Sequence, residues 1–215
     1  MCMKEVDVTK WSRVAQYEWF SSFDDPSVGI TSRMDITELL KYCRANGISS
    51  FAAILYIVCR SANEVEAFRY RFVGGKVYDV ERLRAGYTLA VDDSFINCYA
   101  IVTDNFQQFV EIINKNKETA TLDGFDSYNA EDHPEDIYTT SVPWIDFTGI
   151  KHPMPQNDET NSVPRVAWGK YTEEGDRVKL ALNVTASHAL VDGRYLGELF
   201  NLIQSYMDNP ESILQ

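Results

Sequence analysis

The pattern of apolar and polar positions divides this chain into short period-two runs and longer stretches with a helical repeat. The clearest run is Val178, Leu180, Leu182 and Val184 with Lys179, Ala181 and Asn183 between them, a strand with one strongly apolar face. From Tyr195 to Met207, Leu196, Leu199, Phe200, Ile203 and Met207 recur on one helical face. The polar interruption between the two is a strand-to-helix turn, and His188 sits in it. Upstream, Ile30, Ser32, Met34 and Ile36 mark a strand over Gly29 to Ile36. Thr37 caps a helix through Ala45 that Asn46-Gly47 ends. A helix from Phe51 to Ala62, capped by Ser49 or Ser50, is apolar nearly all round and is expected to be deeply buried.

The remaining segments are shorter. A strand is expected around Glu5 to Val8, then a helix from Trp11 to Phe20 with Thr9 as N-cap. Tyr70 to Val73 and Lys76 to Val80 form a hairpin across Gly74-Gly75, and Tyr87 to Val91 and Phe95 to Val102 another across Asp92-Asp93-Ser94. Asn105 caps a helix reaching Lys117. Leu122 to Asp136 and His152 to Pro164 read as loops, with extended pieces at Ile137 to Thr140 and Pro143 to Phe147 between them. Val166 to Tyr171 pairs with the run from Val178 across Glu173 to Asp176. Mostly antiparallel strands with helices over one face make an α+β two-layer sandwich, expected to be a single domain over residues 1–215.

Composition narrows the function. A net charge of −12 without any basic run disfavours nucleic-acid and anionic-membrane partners. Any anionic ligand must find local cations. Four cysteines without a C-x-x-C pair and only three histidines argue against a metal site. Cys43 and Cys59 fall on apolar helix faces and are expected to be buried thiols. No leader-like segment and no apolar run near 20 residues is seen, so a soluble, cytoplasmic protein is expected.

His188 carries the candidate chemistry. An imidazole with a near-neutral pKa suits proton abstraction from a hydroxyl or thiol. Asp192, four residues on, can hold the turn by pairing with a distant cation or local backbone, and Gly193 allows a positive φ or a close approach. H-x-x-x-D-G is short, however, and Asp-Gly is also a common turn pair.

Other pieces agree with it: Trp11-Ser12-Arg13, then Thr140, Pro143, Trp144 and Phe147 as T-x-x-P-W-x-x-F, then Gly169-Lys170-Tyr171 and Glu174-Gly175-Asp176-Arg177. In this order and rough spacing they resemble the chloramphenicol acetyltransferase family over essentially the whole chain. The resemblance implies the fold of the CoA-dependent acyltransferases. It also implies a homotrimer with active sites at subunit interfaces, acetyl-CoA as co-substrate, and a small hydroxyl-bearing acceptor. That acceptor is nominally chloramphenicol, which would make the role antibiotic resistance.

On this resemblance His188 is the general base and Thr140 the oxyanion donor where the family has serine, with Ser141 as the alternative. Arg13 and Asp192 form a buried ion pair supporting the turn, and losing one partner is expected to cost roughly 3–5 kcal/mol. Phe20 and Phe95 line the acceptor pocket, with Tyr128 or Phe125; Lys170 and Tyr171 lie near the coenzyme. Three departures stand out: Ser187 replaces a second histidine, Ala167 a threonine that helps hold a water, and the loop from His152 to Pro164 matches poorly. Acetylation of another hydroxyl compound, or a non-catalytic ligand-binding relative on the same fold, are the alternatives. H-x-x-x-D-G is also similar to the dihydrolipoyl acyltransferase core, which predicts an upstream lipoyl domain or Pro/Ala-rich linker. Neither is seen in the chain.

Overall fold

A computed structural model describes residues 3–120, 133–154 and 161–215. The first half of the chain runs β1 (Lys4–Glu5), α1 (Val14–Ser21), β2 (Ser27–Asp35), α2 (Thr37–Asn46), α3 (Ser50–Glu64), β3 (Tyr70–Val73) and β4 (Lys76–Asp79). It continues with β5 (Arg84–Val91), β6 (Ser94–Ile101), α4 (Phe106–Thr119), β7 (Asp136–Val142), β8 (Arg165–Gly169), β9 (Thr172–Glu174), β10 (Arg177–Ser187) and α5 (Gly193–Asp208). The all-apolar helix of the sequence is α3, and its residues from Ala52 to Cys59 are at most 2% exposed. Ser49 caps it by accepting from the Ala52 N–H, Asn105 caps α4 by accepting from the Gln108 N–H, and Gly47 ends α2 at φ 65°.

The main sheet has the order β2-β10-β8-β7-β5-β6, with β9 also paired to β10. β7 runs parallel to both β5 and β8, and the other pairs are antiparallel. The mixed, mostly antiparallel sheet covered by helices is therefore as the sequence indicates. Leu180, Leu182 and Val184 are fully buried in one core with α3 and α5, so this face of β10 takes the helices. Asn183 and Thr185 point the other way.

Several local details differ from the sequence reading. β1, β4 and β3 form a separate three-stranded sheet. α1 starts at Val14, and Thr9 lies instead in a 3-10 turn where Asp7 accepts from its N–H. Asp7 outcompetes the longer helix because its short carboxylate bonds the backbone two residues on. The pieces around 137–140 and 143–147 are one strand and a turn, since Pro143 has no N–H to extend β7. β9, not β8, is the hairpin neighbour of β10 across Gly175, at φ 64°; β8 pairs farther up, with Trp168 opposite Leu182. Cys43, Cys59 and Cys98 are buried free thiols, and burial pushes the Cys43 thiol up to about 11. Among the described residues no helix is long and apolar enough to cross a membrane.

The turn after β7 passes directly over Gly169. A Cβ there would stand 2.8 Å from the Ile145 carbonyl oxygen and 3.2 Å from the Phe147 ring. The same carbonyl accepts from the Lys170 N–H at 2.9 Å. Gly169→Ala must displace backbone, and we expect a loss of about 1–3 kcal/mol in urea unfolding. An unchanged midpoint would show that the turn can lift away.

Candidate active site

The turn carrying His188 is fixed from three sides. β10 ends at Ser187, whose carbonyl accepts from the N–H groups of Leu190 (3.0 Å) and Val191 (2.8 Å). The His188 N–H donates to the Pro26 carbonyl at 2.7 Å, tying the turn to the start of β2. From the N-cap position of α1 the Arg13 guanidinium donates to three successive carbonyls, His188 at 2.8 Å, Ala189 at 2.9 Å and Leu190 at 3.0 Å. Asp192 is the N-cap of α5, accepting from Arg194 N–H at 2.9 Å and Tyr195 N–H at 3.2 Å.

This arrangement corrects two expectations. Arg13 and Asp192 do approach, Nε to Oδ2 at 3.6 Å, but their side chains are 15% and 32% exposed. The pair is partly solvated, and Arg13 is mainly engaged with backbone oxygens. Gly193 has no positive φ, and a Cβ there would meet nothing within 4 Å.

The imidazole is gripped as firmly as the backbone. Phe20 stacks on it at 3.8 Å between centroids with an 8° interplanar angle. Nδ1 is buried without a hydrogen-bond partner, as is the neighbouring Ser187 Oγ. Trp19 and Phe23 pack on Phe20 at 4.9 and 5.5 Å, extending the aromatic surface into solvent; Trp19 is 61% exposed. The sequence reading missed these two, although W-F-S-S-F at a helix end was visible.

The other expected residues lie elsewhere. Thr140 is in register with Ala167, and Ala167 with Asn183. His188 is five residues beyond Asn183 and two strands away, which places it roughly 19 Å from Thr140 at about 3.3 Å per residue and 4.8 Å per strand. Lys170 and Tyr171 follow β8 at the Thr140 end of the sheet. Lys170 is exposed, while Tyr171 donates to Ser50 Oγ at 3.3 Å and is pushed up by burial. Phe95 is half-exposed on β6, the strand at the opposite edge from β2. Tyr128 and Phe125 lie outside the described residues. One chain thus presents two separate groups: His188, Phe20, Arg13 and Asp192 at one end, Thr140, Lys170 and Tyr171 at the other. Among the described residues no cluster of three or more His, Cys, Asp or Glu could hold a metal ion.

A family model described as "Chloramphenicol acetyltransferase" matches residues 1–204. A chloramphenicol acetyltransferase of Proteus mirabilis is 27% identical over 206 residues, covering 94% of each chain. One from Staphylococcus aureus is 24% identical over 218 residues, covering all of both. A solved chloramphenicol acetyltransferase structure superposes with a TM-score of 0.88 at 23% identity, over 96% of this chain and 100% of that one. A cubic core of a pyruvate dehydrogenase multienzyme complex shares the fold at TM-score 0.63 and 14% identity, over 99% and 94% of the two chains.

The geometry separates the roles of Arg13 and Asp192. Arg13→Met leaves three carbonyls and a carboxylate without their cation, and should cost about 2–3 kcal/mol in denaturant unfolding. Asp192→Asn keeps a capping side chain and loses only a partly solvated pair, for a cost of about 1 kcal/mol or less. Equal losses from the two variants would restore the ion pair as the dominant contact.

Proposed function

The chain belongs to the chloramphenicol acetyltransferase family, and from that premise we propose a route by which it carries out acetyl-CoA-dependent transfer to a hydroxyl acceptor. The acceptor hydroxyl gives its proton to the His188 imidazole as its oxygen attacks the thioester carbon. The resulting oxyanion takes a hydrogen bond from the Thr140 hydroxyl. Collapse of the tetrahedral species expels the coenzyme thiolate, which recovers the proton from the imidazolium. No covalent enzyme intermediate is needed. The observation that carries this reading is the hold on His188, clamped through its backbone by Arg13 and through its ring by Phe20. A base fixed in this way loses no orientational freedom when the substrate arrives.

The separation of roughly 19 Å between His188 and Thr140 supports a site shared by two copies of the chain. In a homotrimer, His188 and Phe20 of one subunit would face Thr140, Lys170 and Phe95 of the next. Trp144 and Ile145, 78% and 57% exposed beside Thr140, suit such a contact. Lys170 would meet the coenzyme phosphates. Buried free thiols at Cys43, Cys59 and Cys98 agree with a cytoplasmic location. Ala167, fully buried next to Thr140 in the register, gives that hydroxyl no polar neighbour there, so Thr140 contributes less than a donor with a second polar partner.

Chloramphenicol-dependent release of free CoA tests this directly. The wild type should turn over, and His188→Ala should lose on the order of 10²–10⁴ in kcat. Coexpressed His188→Ala and Thr140→Ala chains should recover about one quarter of the wild-type sites, because each shared site needs one intact residue from each neighbour. Lack of recovery in verified hybrids would reject the shared site. A trimeric wild type that releases no CoA with chloramphenicol or other small hydroxyl compounds would favour the non-catalytic alternative.

A further inference from the structure

Against the turn that carries His188 lies a small cavity of about 80 Å³, whose lining includes Trp11, Arg13, Glu66, Tyr70, Leu190 and Tyr195. Three pieces of chain meet there: the approach to α1, the 3-10 turn Glu66–Arg69 and the first turn of α5. Its lining is rich in aromatic side chains. Trp11 stacks on Tyr70 at 5.2 Å between centroids with 28° between the planes, and Tyr70 is 8% exposed. Tyr195 is half-buried.

The charges around the cavity do not balance. Arg13 is engaged with three carbonyls and lies 3.6 Å from Asp192. Glu66 is exposed, and its Oε1 accepts the Tyr70 hydroxyl at 2.8 Å. Its carboxylate makes no ion pair among the described residues. Arg69, at the end of the same 3-10 turn, is taken by Asp79, through Nε at 3.0 Å and Nη2 at 2.9 Å. A carboxylate without a counter-ion beside three aromatic side chains attracts a cation twice, by its own charge and by the ring quadrupoles. The net charge of −12 draws cations over a longer range and repels anions.

We infer that this cavity binds a small organic cation, an alkylammonium or a guanidinium, and that its occupancy steadies the His188 turn. Drug-sized ligands need pockets of roughly 300–1,000 Å³, so this one takes a molecule of only a few heavy atoms. The link to the turn runs through Leu190 in the cavity lining. Its carbonyl accepts from Arg13 Nη1 at 3.0 Å, and its N–H donates to the Ser187 carbonyl at 3.0 Å. Opening of the turn removes this wall, so a ligand that needs the wall favours the closed turn. The inference does not depend on which reaction the turn supports. It describes an effector site, distinct from the residues that would touch substrate.

Methylguanidinium and methylurea isolate the charge, being planar molecules of nearly the same shape. By isothermal titration at constant ionic strength the wild type should bind methylguanidinium at least about 10-fold more tightly than methylurea. Glu66→Gln should erase that preference while leaving an acceptor for the Tyr70 hydroxyl, and its thermal midpoint reports whether it folds. A second measurement needs no variant. Amide exchange at Leu190 should slow about 10-fold in methylguanidinium at ten times its Kd, and should not change at the same concentration of methylurea. Equal binding of the two probes, binding of neither, or a preference that survives Glu66→Gln overturns the site. Binding that leaves Leu190 exchange unchanged overturns its link to the turn.

Discussion

Three backbone carbonyls in a row, from His188 to Leu190, all need donors at the point where β10 gives way to α5. The Arg13 guanidinium meets all three, and no other side chain could do so as well. Its planar fork carries five donors and cannot be neutralised. Arg13 and Phe20 are seven residues apart, which is close to two helical turns. The same short helix therefore presents a clamp for the backbone of His188 at one end and for its ring at the other. With only eight residues, α1 has little stability of its own. Its position depends on these contacts as much as theirs depends on it.

The sheet acts as a ruler for the rest of the site. Strand register is fixed where one face is buried, because a one-residue slip would carry Leu180, Leu182 and Val184 into solvent. That same register holds Thr140 and Lys170 at the far end from His188. The separation cannot be relaxed by side-chain motion, since no side chain spans the distance. A site that uses both ends must be completed by association. Exposed Trp144 and Ile145 lie on the turn that Gly169 and the Lys170 N–H hold down, so this apolar surface is braced by the strand that leads into Lys170.

What the sequence revealed is mostly what local physics decides. The apolar period of β10 and α5 placed His188 in its turn, and caps at Ser49, Asn105 and Gly47 followed from side-chain reach alone. The Arg13–Asp192 approach was legible only through family resemblance, and its character was misjudged because exposure and carbonyl partners are tertiary facts. The separate three-stranded sheet was hidden for the same reason: β1 is two residues long and finds β4 across 70 positions of chain. His152 lies in a stretch that reads as a proline-rich loop. Nothing in its neighbours shows that Asn183, on a distant strand, will meet its ring.

Charge explains why Lys170 stands out on an acidic protein. Arg33 is held by Asp146 and Glu174, Arg69 by Asp79, Arg84 by Asp136, and Lys179 by Glu174. These pairs satisfy carboxylates that would otherwise repel one another, but they leave little positive potential for an incoming phosphate. Lys170 makes no ion pair among the described residues, and its backbone is held by the Ile145 carbonyl while its ammonium reaches solvent. At a net charge of −12, long-range steering of an anionic coenzyme is unfavourable, so binding must rely on short-range cations inside a Debye length of about 8 Å. The exposed Lys170, three residues beyond Ala167, the register partner of Thr140, supplies one such cation at that end of the sheet.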